Sequence, residues 1–209
     1  MDKHILKRTN DSGVSTSNMD PIMKKAYGVW NDMHGRCNCN NPKDRGYYDY
    51  KDVSICEEWY SFKNFYNWFI KQDYEGKFID KDILTKEGEP KVYSPETCVF
   101  VSREMNNFFI VDRKKSNDLP VGVHYTRNKK KYYASISINN KKVYLCKNTD
   151  CIEEAELAYL ECKLGLLESL SSTIKDKKLK KGLEYQKYKL NQKIDNVKKR
   201  LEEISNDKR

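Results

Sequence analysis

No stretch of the chain is apolar for the roughly 18 residues that a membrane span needs. Residues 1–20 are polar and charged, with no apolar segment of the kind a secretory leader carries. Both absences argue against membrane insertion or export, so the expectation is a soluble, cytoplasmic protein with no membrane partner. Cysteine is not arranged for export either. Its seven residues, an odd number at irregular spacing, suit a reducing compartment and not a disulfide framework. A structural zinc centre favours C-x2-4-C steps, and the closest pair, Cys37 and Cys39, has a single residue between. Structural zinc is therefore not expected, and Cys37, Cys39, Cys56 and Cys98 are read as buried thiols. Histidine is scarce, at three, and His34 stands alone, which suits capping or packing better than ligation. Hydrophobic residues make up only 38%, so the core has to be lean and take its bulk from 15 Tyr and 7 Phe.

Charge is what the chain has in plenty, 34% of residues with a net of +9. The two halves differ. Residues 1–112 hold 16 Lys and Arg against 18 Asp and Glu, a net of −2, whereas residues 113–209 hold 24 against 13, a net of +11. A field of that sign favours nucleic acid or an anionic membrane surface, and it places the basic partner surface in the C-terminal half.

The pattern along the chain predicts an α+β protein. Residues 1–19, rich in Ser, Thr, Asn and Asp, are expected to form a flexible tail. Asp20 and Pro21 open a helix with Ile22, Ala26, Trp30 and Met33 on one face, ending near Gly35. A β-prone run follows over 47–56. Glu57 and Glu58 then open a second helix, with Trp59, Phe62, Phe65, Tyr66 and Phe69 at helical spacing. Residues 78–107 read as strand, turn, strand and short helix: a β-prone run to Leu84, turn chemistry at Glu87-Gly88-Glu89-Pro90, an apolar run at 98–101, and Ser102 as N-cap. A charged linker over 113–120 marks the domain boundary, separating 20–112 from 121–170. Beyond it come strands at 122–126, 132–138 and 142–147, a tight Asn139-Asn140 turn, and a helix opened by an Asp150/Glu153 capping box, with Ala155, Ala158, Tyr159, Cys162 and Leu166 as its buried face. Residues 171–209 form a basic helical tail in which Leu183, Leu190, Ile194, Val197, Leu201 and Ile204 keep a heptad-like seam. Two readings stay open for that seam over 183–204: a short coiled coil pairing two copies as a homodimer, or a helix folded back on its own domain. Its Lys-rich face would also suit DNA.

Several of these residues fall in a known order. Trp30, Met33, Arg36 and Cys37, then Cys56, Glu57, Glu58 and Trp59, then Ile79-Asp80-Lys81-Asp82-Ile83, Tyr93-Ser94-Pro95-Glu96-Thr97-Cys98 and Asn106 resemble a phage-type HNH homing endonuclease over residues 24–107. The resemblance implies a ββα-metal fold in which Asp80 and Asn106 hold Mg2+ or another hard divalent metal. Lys81 stands where the family has its water-activating His, and Thr97 where it has the Asn that braces the loop. A lysine with an ordinary pKa near about 10.4 is protonated at neutral pH. Lys81 would therefore stabilise phosphate charge, or act as base only if strongly desolvated, and Asp82 and Glu96 become the candidate substitutes for water activation.

Farther along, Gly122-Val123, Tyr133-Ala134, Ile136, Tyr144-Leu145, Glu153-Glu154-Ala155 and Ala158-Tyr159 resemble an AP2-type DNA-binding domain, a module that phage homing endonucleases carry behind HNH. In that family a three-stranded sheet enters the major groove. By alternation Tyr133, Ser135 and Ser137 would face the bases, joined by His124, Thr126 and Arg127, while Lys129, Lys130, Lys131, Lys141 and Lys142 would reach phosphates. Ser135 and Ser137 stand where the family often has Glu and Arg. Together the resemblances imply a DNA-binding protein of a phage or mobile element, with metal-assisted phosphodiester hydrolysis as its activity. A second hypothesis keeps the scaffold without the chemistry, as a DNA-binding regulator or anti-defence factor. RNA binding is a third.

Overall fold

The computed structural model describes residues 7–38, 50, 52–110, 119–138 and 141–207. It divides into two units, Met1–Arg103 and Glu104–Arg209, each mixing helix and sheet, so the α+β class holds. The units hold 16 basic and 16 acidic residues in the first against 24 and 15 in the second, so the whole excess of +9 lies on the second. The division falls at the start of a helix, earlier than the expected linker at 113–120, most of which lies outside the described residues.

In the N-terminal unit, α1 (Pro21–Cys37) begins as its cap predicts, with the Asp20 carboxylate accepting from Met23 N at 2.9 Å. It runs two residues past Gly35 and buries Ala26, Trp30, Met33 and His34. Residues 7–19 are not a free tail. Thr9 N donates to Tyr60 O at 2.8 Å, Phe62 N donates to Thr9 O at 3.0 Å, and Met19 is buried. The expected second helix is two pieces, a 3-10 turn at Glu57–Tyr60 and α2 (Phe62–Phe69), because Ser61 between them is an N-cap. Its hydroxyl accepts from Asn64 N at 3.1 Å and donates to Asp11 at 2.6 Å. Trp30, Trp59, Phe62, Phe65 and Phe69 form the aromatic core, in which the lone His34 packs with Nε2 2.9 Å from Trp59 O.

Within the β-prone run over 47–56, β1 is Val53–Ile55; residues 47–49 and 51 lie outside the described set. The next strand, β2 (Phe78–Asp80), stops four residues short of Leu84. The Asp80 side chain accepts from the N–H groups of Asp82 and Ile83 at 2.9 and 2.8 Å, and this local turn replaces the ladder. After the turn, where Gly88 takes φ +82°, come β3 (Lys91–Tyr93) and β4 (Val99–Val101). The antiparallel partner of β2 is β4, and β3 pairs parallel with β1. That parallel pair was not visible in the periodicity. From Ser102 the chain enters α3 (Arg103–Ile110).

The C-terminal unit has an antiparallel sheet in the order β5 (Val123–Thr126), β6 (Lys131–Ile138), β7 (Lys141–Thr149). The Asn139-Asn140 turn lies outside the described residues. Against the sheet packs α4 (Ile152–Ser172), burying Ala155 and Tyr159 with Val123 and Ala134. Gly122, at φ +80°, is required here, since a Cβ would sit 2.0 Å from the Tyr159 ring. The capping box does not form. Cys151 is the N-cap position without a side-chain cap, Asp150 pairs with Lys131, and Thr149 Oγ1 takes Cys151 N at 3.1 Å. Finally α5 (Lys177–Asp207) folds back on α4, burying Leu179, Leu183, Leu190, Ile194 and Val197. Arg200–Glu156 at 2.5 Å and Lys198–Glu161 at 3.4 Å flank the contact. Of the seam, Leu183, Leu190, Ile194 and Val197 are thus covered within the chain, while Leu201 and Ile204 are half-buried. Leu183→Ala is expected to cost about 2–5 kcal/mol by urea denaturation, through the cavity it leaves. Light scattering on the same variant should give the parent's mass.

Candidate functional site

In the N-terminal unit the residues after β2 surround a buried cation. Lys81 is 5% exposed. Its Nζ donates to Asp82 Oδ2 at 2.7 Å and lies 5.0 and 5.4 Å from the ring centroids of Tyr50 and Tyr93, contacts that suit an ammonium. Lys91 Nζ sits 3.0 Å from the other Asp82 oxygen, an ion pair outside hydrogen-bond alignment. Burial works against ionisation of Asp82, yet the Lys81 and Lys91 charges outweigh it and hold this carboxyl below its usual range. Asp80 is the opposite case. Burial pushes its carboxyl up and the Asp82 charge adds to this, while the N–H groups of Ile83 and Asp82 and the Lys81 ammonium pull the other way without prevailing. Arg36 joins the same cluster over the Tyr50 ring at 5.8 Å.

The sequence-predicted residues are therefore only partly brought together. Asp80, Lys81 and Asp82 are neighbours. Thr97 does what a loop brace does, accepting from Ser94 N at 3.2 Å and donating to Val92 O. Glu96 is exposed, and its charge acts on Cys56. Asn106 lies on α3 in the other unit. For a hard divalent cation the Asp80 surroundings do not fit. One Asp80 oxygen is committed to two backbone N–H groups, and the adjacent side chain is a buried lysine that donates to Asp82. Among the described residues no three His, Cys, Asp or Glu side chains gather as a metal-binding group. Lys81 is buried and ion-paired with Asp82. The thiols are muffled too. Burial raises Cys37 to about 11 against the charges of Lys81 and Arg36, and it raises Cys56 to about 12.

A different surface lies on the open face of the β5–β6–β7 sheet, away from α4. His124 stacks on Tyr133 at 4.8 Å and 19°, as their direct pairing across β5 and β6 predicts. Tyr144 follows at 5.7 Å, and Lys142 Nζ lies 5.2 and 5.1 Å from the Tyr133 and Tyr144 centroids. The result is a ladder of rings with a cation set into it. Tyr144 is 55% exposed and Ser137 is open. Ser135 is on this face but 6% exposed, its hydroxyl 2.8 Å from His124 Nε2. Arg127, Lys129 and Lys130 are exposed in the β5–β6 turn, where Lys130 takes φ +51°, and Lys141 is exposed on β7. Thr126 is half-buried, and Lys131 is held by Asp150.

No family model, no curated protein and no solved structure matches the chain. The site is thus read from its own chemistry. Sequence reasoning missed Tyr144 as a member of the ladder, because β6 pairs Ala134 with Cys146 but Ser135 with Tyr144, a bulge that resets the alternation of β7. It also missed Arg36, Tyr50 and Tyr93 as the surroundings of Lys81, since three separated segments supply them.

The two aspartates make opposite predictions. A carboxyl whose pKa is raised in the fold favours folding below its unfolded value near 3.8 and loses that contribution as pH rises through the folded value. Asp80→Asn keeps an acceptor for the two N–H groups, so it should raise stability at pH 7, with the gain fading toward pH 4. A depressed carboxyl contributes above 3.8 and loses its contribution as pH falls through the folded value. Asp82→Asn should therefore destabilise by about 1–2 kcal/mol at pH 7, a figure discounted for the partial exposure of Asp82, with the loss shrinking in acid. Urea midpoints of both variants across pH 3–8 check the pair. In a separate measurement, Cys37 and Cys56 should resist iodoacetamide at about pH 8 in the folded protein and react on unfolding.

Proposed function

We propose that the chain is a double-stranded-DNA-binding protein whose C-terminal unit holds the duplex, and whose N-terminal unit has the frame of a phage-type HNH endonuclease without the metal chemistry. The observation that carries the reading is the open sheet face. There Lys142 lies over the rings of Tyr133 and Tyr144, His124 stacks on Tyr133, and Arg127, Lys129 and Lys130 are exposed in the turn at the far end of β6. Cations flanking a sheet of groove width suit phosphates on either side and base edges between. The whole net charge of the chain lies on that unit, which supports the same partner. On this reading His124, Tyr133, Ser137, Lys142 and Tyr144 face the groove, Ser135 positions His124, and the β5–β6 turn lysines contact the backbone.

The scaffold reading of the N-terminal unit rests on the antiparallel β2–β4 pair and on Thr97 in the bracing position. Its loss of chemistry rests on the buried Lys81–Asp82 pair at the place of the water-activating residue. A regulator or anti-defence factor of a phage or mobile element fits both. The nuclease reading remains the rival because Asp80 is present.

The test is a mobility shift and a nicking assay on the same samples, with supercoiled DNA and Mg2+, Mn2+ or EDTA. Expected is salt-sensitive binding with no nicking in any metal. Lys129→Gln with Lys130→Gln should lower the slope of log K against log salt by about 1–2, and Lys142→Ala should weaken binding about tenfold or more. Metal-dependent nicking abolished by Asp80→Ala would establish the nuclease instead, and preferential competition by RNA would move the partner to RNA.

A further inference from the structure

The open sheet face offers a nucleic acid more ring surface than hydrogen-bonding groups. In a paired duplex the flat faces of the bases are hidden in the stack, and the groove presents their edges, which Arg, Lys, Asn and Gln read with paired hydrogen bonds. On this face β6 and β7 supply Tyr133, Ser135, Ser137, Lys142 and Tyr144. Of these five Lys142 alone belongs to that set, and its ammonium leans over two rings, 5.2 and 5.1 Å from the Tyr133 and Tyr144 centroids. Ser135 is buried. The rings are the larger part of the face: His124 stacks on Tyr133, Tyr144 follows, and Tyr144 is 55% exposed.

An unpaired base uses such surface. Taken out of the stack, it lies on an aromatic ring, a contact worth about tenfold in affinity per base and tolerant of sequence. The Tyr133 and Tyr144 centroids are 5.7 Å apart. Successive bases of a duplex strand are about 3.4 Å apart, so neighbouring bases lie on both rings only after they have parted from each other. Cations stand at both ends of the ladder. Arg127, Lys129 and Lys130 are exposed in the β5–β6 turn, and Lys141, paired with Ile138, is exposed at the other end. Between these ends the eight residues of β6 span about 23 Å at about 3.3 Å per residue. We propose that the ladder is a stacking site for unpaired bases, so that the preferred ligand of the C-terminal unit is duplex DNA with a short unpaired stretch. Phosphates of the paired arms meet the cations at the two ends, and the rings hold the opened bases between. The inference rests on the duplex-binding reading of the sheet given above.

The experiment is a fluorescence-anisotropy titration of the full chain on two DNAs of equal length, one fully paired and one with a bubble of about four mismatched pairs at its centre. The wild type is expected to bind the bubble about tenfold tighter than the paired duplex. Tyr144→Ala should bring that ratio to within about twofold of one, and Tyr144→Trp, which keeps a ring, should retain it. Tyr144→Leu serves as the second variant if Tyr144→Ala does not fold. Equal affinity of the wild type for the two DNAs overturns the stacking site and leaves the duplex reading intact, as does a ratio unchanged in folded Tyr144→Ala. Failure of the wild type to bind either DNA overturns the reading on which the inference rests.

Discussion

A cation buried in a lean core has to be answered by a carboxylate or a ring face, and the N-terminal unit gives both answers to Lys81. Its ammonium takes one oxygen of Asp82 and two tyrosine faces, Tyr50 and Tyr93. Breaking such a pair strands a charge away from water, so the cluster is held as a unit. That same arrangement removes Lys81 from solvent, commits Asp82, and leaves Asp80 as a carboxyl that burial drives toward neutrality.

The C-terminal unit solves the same shortage of apolar material by layering. Helix α4 is buried on two sides, and its buried Lys163 lies over the rings of Phe108 and Tyr159 at 5.2 and 6.0 Å. With the core supplied by α4, the outer face of the sheet and the outer face of α5 are left to charge and aromatic rings. The positive field and the two polar faces thus have one structural cause, a central helix that satisfies both neighbours.

What the sequence by itself determined is what a short window encodes. The Asp20 cap and Pro21 start α1, the stripe of Ala26, Trp30 and Met33 marks its buried face, the alternation over 132–138 marks β6, and the skew of charge marks the basic half; each depends on neighbours a few residues away. The candidate residues of the sheet face were legible for the same reason, since Tyr133 and Ser137 follow from alternation alone. Only the tertiary structure decided the rest. Thr9 docking at Ser61, the parallel β1–β3 pair, the Tyr50 and Tyr93 faces around Lys81 and the bulge that turns Tyr144 outward all join segments separated by loops. Whether such segments meet depends on the balance of loop-closure entropy against the surface buried, a balance that no local pattern contains. The α5 seam shows the limit plainly: its heptad spacing announces a buried face, but the same apolar stripe suits a second copy or α4, and the four-residue link between α4 and α5 places α4 at hand.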